Sequence, residues 1–205
     1  MTGNIRIRGR QTISRGYGLL ERVSIERKRF DGRVQDLSRE IYDPGDSAAI
    51  LLYDPIRSRV VLVRQFRLPP YLKDRRESEI EVCAGRLEGE DALTRIVKEA
   101  EEETGYAVRG PRRLFEAYLS PGSLAEKLVF FAAEYCPDDR RARGGGHEGE
   151  GEDIEILEPT LDEALAMIEN GEIIDAKTII LLQYAKLHGL MHGEDVLCRG
   201  QTGLR

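Results

Sequence analysis

The sequence predicts an α/β (α+β) fold with a small N-terminal antiparallel β domain, and three patterns support this fold class. Residues 5–43 alternate as an antiparallel set does, around Asp31-Gly32, a common hairpin turn. Residues 48–53 and 59–66 are nearly continuous apolar runs, as expected of strands buried on both faces. Residues 91–105 repeat apolar residues at helical spacing, so the later part of the chain combines strands with helices.

The chain divides into three predicted segments. Asp43-Pro44-Gly45-Asp46 breaks the chain after the N-terminal strands, so residues 1–45 form the predicted β domain. Residues 46–192 form the predicted α/β domain, and residues 193–205 a frayed tail. At 205 residues, the chain is long enough for one substantial domain with a small extra module.

Turn residues separate a regular series of strands and helices. Strands are predicted at residues 17–26, 34–42, 48–53, 59–66, 80–84, 113–118, 127–135 and 154–157. Helices are predicted at residues 91–105, at residues 159–170 and, entered through residues 172–177, up to about His188.

A glycine-bearing loop, Ala84–Asp91, leads from a strand into the first of these helices. The helix begins near Asp91 and stops at Gly105, a residue that favours helix C-termini. The apolar residues of its predicted core face are Leu93, Ile96, Val97 and Ala100. Cys83, just before the loop, lies in an apolar strand and is interpreted as a small core residue rather than a nucleophile.

Three carboxylates, Glu99, Glu102 and Glu103, share another flank of this helix. Like charges at this spacing disfavour a helix, and negative charge near its C-terminus opposes the macrodipole. A helix that accepts both penalties is expected to hold a cation, and hard oxygen ligands suit Mg²⁺ or Mn²⁺. The carbonyl of Ala84, where a strand ends, is a further candidate ligand. The alternative is an ordinary solvated acidic helix face.

Two further segments are candidates for the chemistry. Arg67 follows a strand end and could neutralise a phosphate group; the alternative is a solvated strand end. Residues 140–153 are rich in glycine and charge and offer little to bury, which predicts a mobile loop. That loop is either a disordered acidic linker or a lid that brings a carboxylate to the substrate.

The composition excludes some partners. The net charge is −6 and the sequence pI near 5.3, which argues against a general nucleic-acid binder because such proteins need clustered positive charge. The N-terminus lacks an apolar leader region, and no run of 18 apolar residues occurs. We therefore expect a cytoplasmic protein with neither nucleic acid nor membrane as a partner.

The spacing around the acidic helix resembles the Nudix box, Gly-x5-Glu-x7-Arg-Glu-U-x-Glu-Glu-x-Gly-U, where U is a bulky aliphatic residue. Gly85 lies one residue closer to Glu90 than in that pattern, which leaves the role of Glu90 open. Lys98 replaces the arginine and can form a point-charge pair with a neighbouring carboxylate, but not the planar, two-nitrogen fork that arginine gives. Ala100 and Tyr106 fill the U positions.

A closer resemblance extends from about residue 34 to residue 188. The segments that carry it are Arg39–Asp43, Arg64–Arg67, Cys83–Gly85, Lys98–Ala100, Tyr118–Gly122, Gly144–Gly146, Glu152–Glu155, Gly171–Ile173 and Lys177. In these segments the chain resembles the GDP-mannose pyrophosphatases of the Nudix superfamily, which are related to the ADP-ribose pyrophosphatases.

This resemblance implies a Nudix α/β/α sandwich and a homodimer that exchanges its N-terminal β domain. It also implies Mg²⁺-dependent hydrolysis of a nucleoside diphosphate sugar, GDP-mannose first, to GMP and mannose 1-phosphate. ADP-ribose as the substrate is one alternative, and a Nudix-like ligand-binding module without catalysis is another. The number of metal ions stays open.

The resemblance further implies a set of site residues. The implied metal ligands are the Ala84 carbonyl, Glu99, Glu103 and Glu152. The implied substrate contacts are Arg39 and Glu40 across the dimer, Arg67, Ala84, Gly85, Glu126 and Lys177. Glu102 is an auxiliary ligand and, with Glu152 and Glu150, a catalytic candidate. Because the acidic loop has two extra residues, the choice between Glu148, Glu150 and Glu152 for the attacking water stays open.

Overall fold

A computed structural model describes residues 4–147, 149 and 151–192. The chain forms two compact units, one of Met1–Asp46 with Ala117–Leu128, the other of Ser47–Glu116 with Val129–Arg205. The first unit thus takes in residues 117–128, which lie beyond the predicted boundary at residue 45. The predicted tail, residues 193–205, lies outside the described residues. No helix in the described part is long and apolar enough to cross a membrane.

The first unit contains a three-stranded antiparallel sheet in the order β1-β2-β3. Its strands are β1 (Ile5–Arg15), β2 (Leu19–Lys28) and β3 (Val34–Asp43). Strands β2 and β3 pair from Leu19 opposite Asp43 to Lys28 opposite Val34. The turn between them contains Asp31-Gly32, as predicted, and the carboxylate of Asp31 accepts hydrogen bonds from Arg33. The hairpin prediction is therefore confirmed.

The Ser120-Pro121-Gly122 segment continues this unit. The amide of Leu124 donates to the carbonyl of Ser120 across 2.9 Å, which closes the predicted turn. The amide of Tyr42 then donates to the carbonyl of Ser123 at 3.0 Å, next to the end of β3. The segment that carries Glu126 is thereby fixed against the N-terminal sheet.

The second unit is built on a seven-stranded sheet whose main order is β10-β5-β4-β9-β8, with β6 beside β5 and β7 beside β4. The strands are β4 (Ser47–Asp54), β5 (Arg59–Gln65), β6 (Glu79–Glu81), β7 (Cys83–Arg86), β8 (Arg112–Ala117), β9 (Leu128–Glu134) and β10 (Glu155–Leu157). The helices are α1 (Leu68–Asp74), α2 (Ala92–Thr104), α3 (Leu161–Glu169) and α4 (Ala176–Leu187). Single 3-10 turns occur at Pro137–Asp139 and Leu190–His192.

The sheet of the second unit lies between helices, and its central strand β4 shows why. Every residue of β4 is buried, as its continuous apolar run predicts for a strand covered on both faces. Ile50 and Leu52 join a core cluster with Ile96 and Ala100 of α2. Helix α4 also contacts β4 and buries its own residues, including Leu181. The α/β/α architecture is therefore confirmed.

Helix α1 was not predicted from the sequence, which indicated no helix between the strands at residues 59–66 and 80–84. Prolines occupy its first turn, where a missing amide costs little and the fixed φ favours a helix. The helix ends at Arg75, whose φ of 60° is left-handed. It buries none of its residues, so no apolar periodicity was available to predict it.

The glycine-rich segment that begins at residue 140 also differs from the predicted mobile loop, because its first half is bound to the C-terminal end of α2. The last carbonyls of a helix lack partners within the helix. The amide of Arg141 donates to Gly105 at 2.8 Å, and that of Gly145 donates to Glu103 at 2.8 Å. The amide of Gly146 donates to Glu102 at 3.3 Å. Backbone groups, rather than side chains, hold this segment in place.

Close backbone approach at Gly105 generates a stability prediction. Gly105 and Gly110 have φ of 74° and 55°, so alanine at either position costs about 1–2 kcal/mol of strain. A Cβ at Gly105 would also overlap the carbonyl of Ala142, whereas one at Gly110 meets nothing within 4 Å. Gly105→Ala should therefore lower the free energy of unfolding by about 1–3 kcal/mol more than Gly110→Ala. Urea denaturation checks the difference, and equal losses would contradict the docked loop.

Candidate active site

The acidic helix α2 is closed at both ends by local interactions. The carboxylate of Asp91 accepts hydrogen bonds from the amides of Leu93 and Thr94, at 3.1 and 3.2 Å, which makes Asp91 the N-cap. At the other end, the amide of Gly105 donates to the carbonyl of Glu101 at 2.9 Å. The predicted start and end of the helix are therefore confirmed, and its carboxylates are held in a fixed register.

The buried face of α2 differs from the predicted one. Ile96 and Ala100 are buried as predicted, but Leu93 is 42% exposed. Glu99 and Glu103 are only 8% and 2% exposed, so both belong to the buried face. At 3.6 residues per turn, the buried face is rotated about the helix axis by roughly 60° from the predicted face, towards the carboxylates. Two of the three predicted carboxylates thus face the sheet, whereas Glu102 is exposed.

Glu99 fits against the strand that precedes the glycine loop. A Cβ added to Gly85 of β7 would overlap the carboxylate of Glu99, so only glycine allows this approach. Ala84, the preceding residue, pairs with Ala49 of β4. Arg95 forms an ion pair of 2.5 Å with Glu99. Burial raises the pKa of Glu99, and the nearby charge of Arg95 opposes that rise.

Glu103 is the most deeply buried carboxylate of the site. Its atom Oε2 has no hydrogen-bond partner among the described residues. Burial raises its pKa to about 8, although a hydrogen bond with the thiol of Cys83 opposes the shift. The negative charges of Glu99 and Glu152 raise this pKa further. Glu103 therefore has an unused oxygen and a strong preference for a proton or a cation.

The third predicted ligand, Glu152, approaches the helix from the glycine-rich segment. Its Oε2 accepts a hydrogen bond of 2.8 Å from the amide of His147. The imidazole of His147 lies 3.9 Å from the carboxylate of Glu102. A Cβ on Gly146, whose amide donates to the carbonyl of Glu102, would overlap the carboxylate of Glu152, so Glu152 lies beside the end of α2. Its negative charge raises the pKa of both Glu99 and Glu103. Glu148 and Glu150 lie outside the described residues.

Two predicted substrate-binding cations, Arg67 and Lys177, meet at one buried carboxylate, that of Glu81. Arg67 donates through Nε and Nη2 to the two oxygens of Glu81, both at 3.0 Å. Lys177 donates to Glu81 Oε2 at 2.9 Å. Sequence reasoning missed Glu81, although an acidic residue within the apolar strand Ile80–Ala84 was a signal that a cation must face it.

A cleft of about 710 Å³ lies beside these groups. It is lined by residues of both charges together with one aromatic ring; they include Arg64, Phe66, Arg67, Arg143, Glu152 and Asp153. Its volume suits a small-molecule ligand, and its arginines suit an anionic one. Arg143 was not predicted, because its place in the cleft depends on the docking of the glycine-rich segment.

The remaining predicted substrate residues, Arg39, Glu40 and Glu126, belong to the first unit. Arg39 donates to the carbonyl of Ser38 at 2.9 Å, and Glu40 accepts from Arg22 at 2.6 Å. Both side chains are exposed. Their predicted contact with substrate across a dimer stays a prediction.

The shortened glycine loop gives Glu90 a partner. Lys98 donates to both carboxylate oxygens of Glu90, at 2.9 and 2.8 Å. This is the point-charge pair predicted for Lys98, and it lies on the exposed surface. Exposed pairs of this kind contribute little stability, so Glu90 acts here as a partner of α2 rather than as a buried ligand.

The carboxylates Glu99, Glu103 and Glu152 are ligands of the type that a hard divalent cation prefers. Among the described residues, however, no three acidic, histidine or cysteine side chains lie close enough together to coordinate a metal ion as they stand. Each carboxylate instead has a protein partner: Arg95 for Glu99, Cys83 for Glu103, and a backbone amide for Glu152. Carboxylate oxygens are the ligands that such cations prefer, and the orphaned oxygen of Glu103 is available. These carboxylates, held on an α/β/α sandwich, are therefore candidate ligands of a divalent cation.

Comparisons with known proteins give the family. A model described as the GDP-mannose pyrophosphatase NudK N-terminal domain matches residues 4–42, and the NUDIX domain model matches residues 43–182. The chain therefore belongs to the Nudix hydrolase family, whose members generally use divalent cations. Two relatives, GDP-mannose pyrophosphatases of Shigella flexneri serotype 5b and of Escherichia coli O1:K1, are each 43% identical over 192 residues, which is 93% of this chain and 100% of theirs.

A solved structure supports the fold alone. The crystal structure of an ADP compounds hydrolase aligns with a TM-score of 0.67 and 16% sequence identity. The alignment covers 91% of this chain and 97% of that one. The N-terminal sheet and the sandwich thus have a counterpart in a protein of very different sequence.

The raised pKa of Glu103 predicts a pH-dependent stability in the cation-free protein. The folded state favours the protonated acid, so this stabilisation is complete below about pH 4.5 and lost as the pH rises to about 8. Between pH 5 and pH 9, wild type should lose on the order of a few kcal/mol relative to Glu103→Gln. Urea denaturation in EDTA at both values measures this difference; parallel pH profiles of the two proteins would contradict it.

Proposed function

We propose that this Nudix hydrolase cleaves the pyrophosphate bond of a nucleoside diphosphate sugar, with GDP-mannose as substrate and Mg²⁺ as the cation. Water adds to one phosphorus, the bridging oxygen leaves with the other phosphate, and GMP and mannose 1-phosphate result. The observation that carries the proposal is the buried Glu103, one oxygen of which has no hydrogen-bond partner among the described residues and on which the charges of Glu99 and Glu152 act. The names of the relatives support GDP-mannose, because they are 43% identical over 93% of the chain.

Glu99, Glu103 and Glu152 would hold the cation, with the Ala84 carbonyl as a further ligand and Glu102 as an auxiliary one. A bound divalent cation supplies positive charge to the pyrophosphate and lowers the pKa of a coordinated water. Mn²⁺ has the same preference for oxygen ligands and is the alternative. Arg95 would have to release Glu99 when the cation binds, because it now occupies that carboxylate.

The residues of the chain itself supply binding and proton transfer. Arg67, and Lys177 beside it, would contact the phosphate oxygens and stabilise the charge that develops on them. Glu152, or Glu150 from the same loop, would orient the attacking water and take its proton. Ala84 and Gly85 would contact the substrate through the backbone, because neither carries a polar side chain.

A second candidate is the hydrolysis of ADP-ribose. The fold neighbour named an ADP compounds hydrolase is the observation that favours it, although 16% identity is too low to carry over a substrate. A non-catalytic Nudix module is disfavoured, because Glu99, Glu102 and Glu103 are all present in the acidic helix.

A substrate panel tests the proposal. Purified protein with Mg²⁺ is incubated with equal concentrations of GDP-mannose, ADP-ribose and NADH, and the nucleotide products are separated by ion-exchange chromatography. We expect GMP from GDP-mannose to dominate. Glu103→Gln should reduce that turnover by at least about 100-fold, since even residues behind a metal ligand change activity by 10–100-fold.

Each result has a defined meaning. Dominant AMP formation from ADP-ribose would replace GDP-mannose with the second candidate. Full activity of Glu103→Gln would overturn the proposed metal site. No turnover of any of the three compounds would favour the non-catalytic module.

We also propose that the protein is a homodimer joined through its N-terminal β domain. Several apolar side chains of this unit are exposed, including Ile5 at 62%, Ile7 at 53% and Val34 at 66%. Ile5 and Ile7 alternate along β1 and so share one face of the sheet, and exposed apolar side chains that share a face commonly mark a protein interface. A second copy would cover them and could bring Arg39 and Glu40 to the site of its partner.

Light scattering after size exclusion tests the dimer. Wild type should have twice the chain mass of 23.2 kDa. The double variant Ile5→Ser with Ile7→Ser should shift towards the monomer, because polar side chains remove the apolar contact. Ile56→Ser is the matched control, since Ile56 is 63% exposed but lies in the other unit. A wild-type monomer, or a variant that stays dimeric, would refute the proposed interface.

A further inference from the structure

Glu81 is a buried carboxylate that forms ion pairs with two cations, Arg67 and Lys177. Its residue is 4% exposed and lies on the short strand β6. The guanidinium of Arg67 clamps both its oxygens at 3.0 Å, and the ammonium of Lys177 binds one of them at 2.9 Å. An ion pair clamped through two parallel hydrogen bonds fixes direction as well as distance. Glu81 therefore determines where both cations lie.

A second set of contacts ties Lys177 to the same strand. Its ammonium also donates to Asp175 at 2.9 Å, and Asp175 caps helix α4 by accepting from the amide of Thr178 at 2.9 Å. The hydroxyl of Thr178 in turn accepts from the amide of Val82 at 2.8 Å. The start of α4 is thus bonded to the residue next to Glu81. Lys177 cannot shift without disturbing this arrangement.

We propose that Glu81 is a positioning residue that holds Arg67 and Lys177 side by side for the phosphate groups of the substrate. The two cations would repel each other if no anion lay between them. The negative charge of the buried Glu81, bonded to both cations, offsets that repulsion. The side chain of Arg67 remains 40% exposed and lines the cleft. This inference rests on the proposed function, since it assigns the phosphate-binding role to Arg67 and Lys177.

The same strand provides a matched control. Glu79, two residues before Glu81, is 3% exposed and forms an ion pair of 2.7 Å with Arg76. Arg76 also donates to the backbone carbonyls of Gly171 and Glu172, at 3.2 and 2.8 Å. Glu79 thus holds a loop, whereas Glu81 holds side chains beside the cleft. Loss of either carboxylate removes an ion-pair partner from a partly buried cation, Arg76 or Lys177, so both variants should lose stability.

The test compares Glu81→Gln with Glu79→Gln in the Mg²⁺-loaded enzyme. Glu81→Gln should raise KM for GDP-mannose by about 10- to 100-fold with a smaller change in kcat, because binding groups are misplaced. Glu79→Gln should keep KM within about twofold of wild type. The Mn²⁺ affinity of both variants, measured by calorimetry, should match wild type, because the carboxylates of α2 are untouched. Similar KM values in the two variants would overturn the positioning role.

Two further measurements keep the inference separate from the substrate assignment. Binding of inorganic pyrophosphate, measured by calorimetry in EDTA, probes the two cations without turnover and should weaken about tenfold in Glu81→Gln alone. Wild type that hydrolyses no nucleotide sugar but binds pyrophosphate refutes only the proposed function. Wild type that binds no pyrophosphate overturns the inference. If Glu81→Gln does not fold, Arg67→Lys, which keeps the charge but loses the clamp, should show the same rise in KM; an unchanged KM would overturn the inference.

Discussion

The site depends on the burial of two carboxylates, Glu99 and Glu103, between helix α2 and the central sheet. A buried charge is costly unless it is paired, and here the pairing is incomplete. Arg95 pairs with Glu99, but among the described residues Glu103 bonds to the thiol of Cys83 and keeps one oxygen without a hydrogen-bond partner. The protein therefore has a built-in preference for a proton or a cation at this point. In the function proposed above, this carboxylate would be one of the ligands of the cation.

The rest of the second unit keeps these carboxylates in register. Asp91 and Gly105 define the ends of α2, and Gly85 allows the strand to approach Glu99 without a Cβ in between. The glycine-rich segment binds to the last carbonyls of α2 through Gly145 and Gly146, and it carries Glu152. Backbone hydrogen bonds therefore hold the segment that carries Glu152 against the end of the helix that carries Glu99 and Glu103.

Two glutamates of similar burial, Glu81 and Glu103, have pKa values shifted in opposite directions because their neighbours differ. Burial raises the pKa of Glu103 to about 8, and the Cys83 hydrogen bond and the charge of Arg67 oppose that rise only in part. Burial acts on Glu81 in the same direction, but the charge of Lys177 and the hydrogen bond from Arg67 lower its pKa to about 2. The first carboxylate is thus prepared to receive a cation, whereas the second already holds two. The second unit thus contains both a carboxylate that could bind a cation, Glu103, and two cations that could bind an anionic substrate, Arg67 and Lys177.

The sequence by itself determined most of the strands, the three longer helices, the ends of α2 and the acidic motif, because these follow from local periodicity and short-range hydrogen bonds. The Asp31-Gly32 hairpin and the ends of α2 needed no distant residue. Only the tertiary structure decided which face of α2 is buried, that Glu81 lies between Arg67 and Lys177, and that residues 140–147 are docked. Each of these depends on contacts between residues far apart in the chain, or on backbone groups that every residue shares, and neither leaves a local pattern in the sequence.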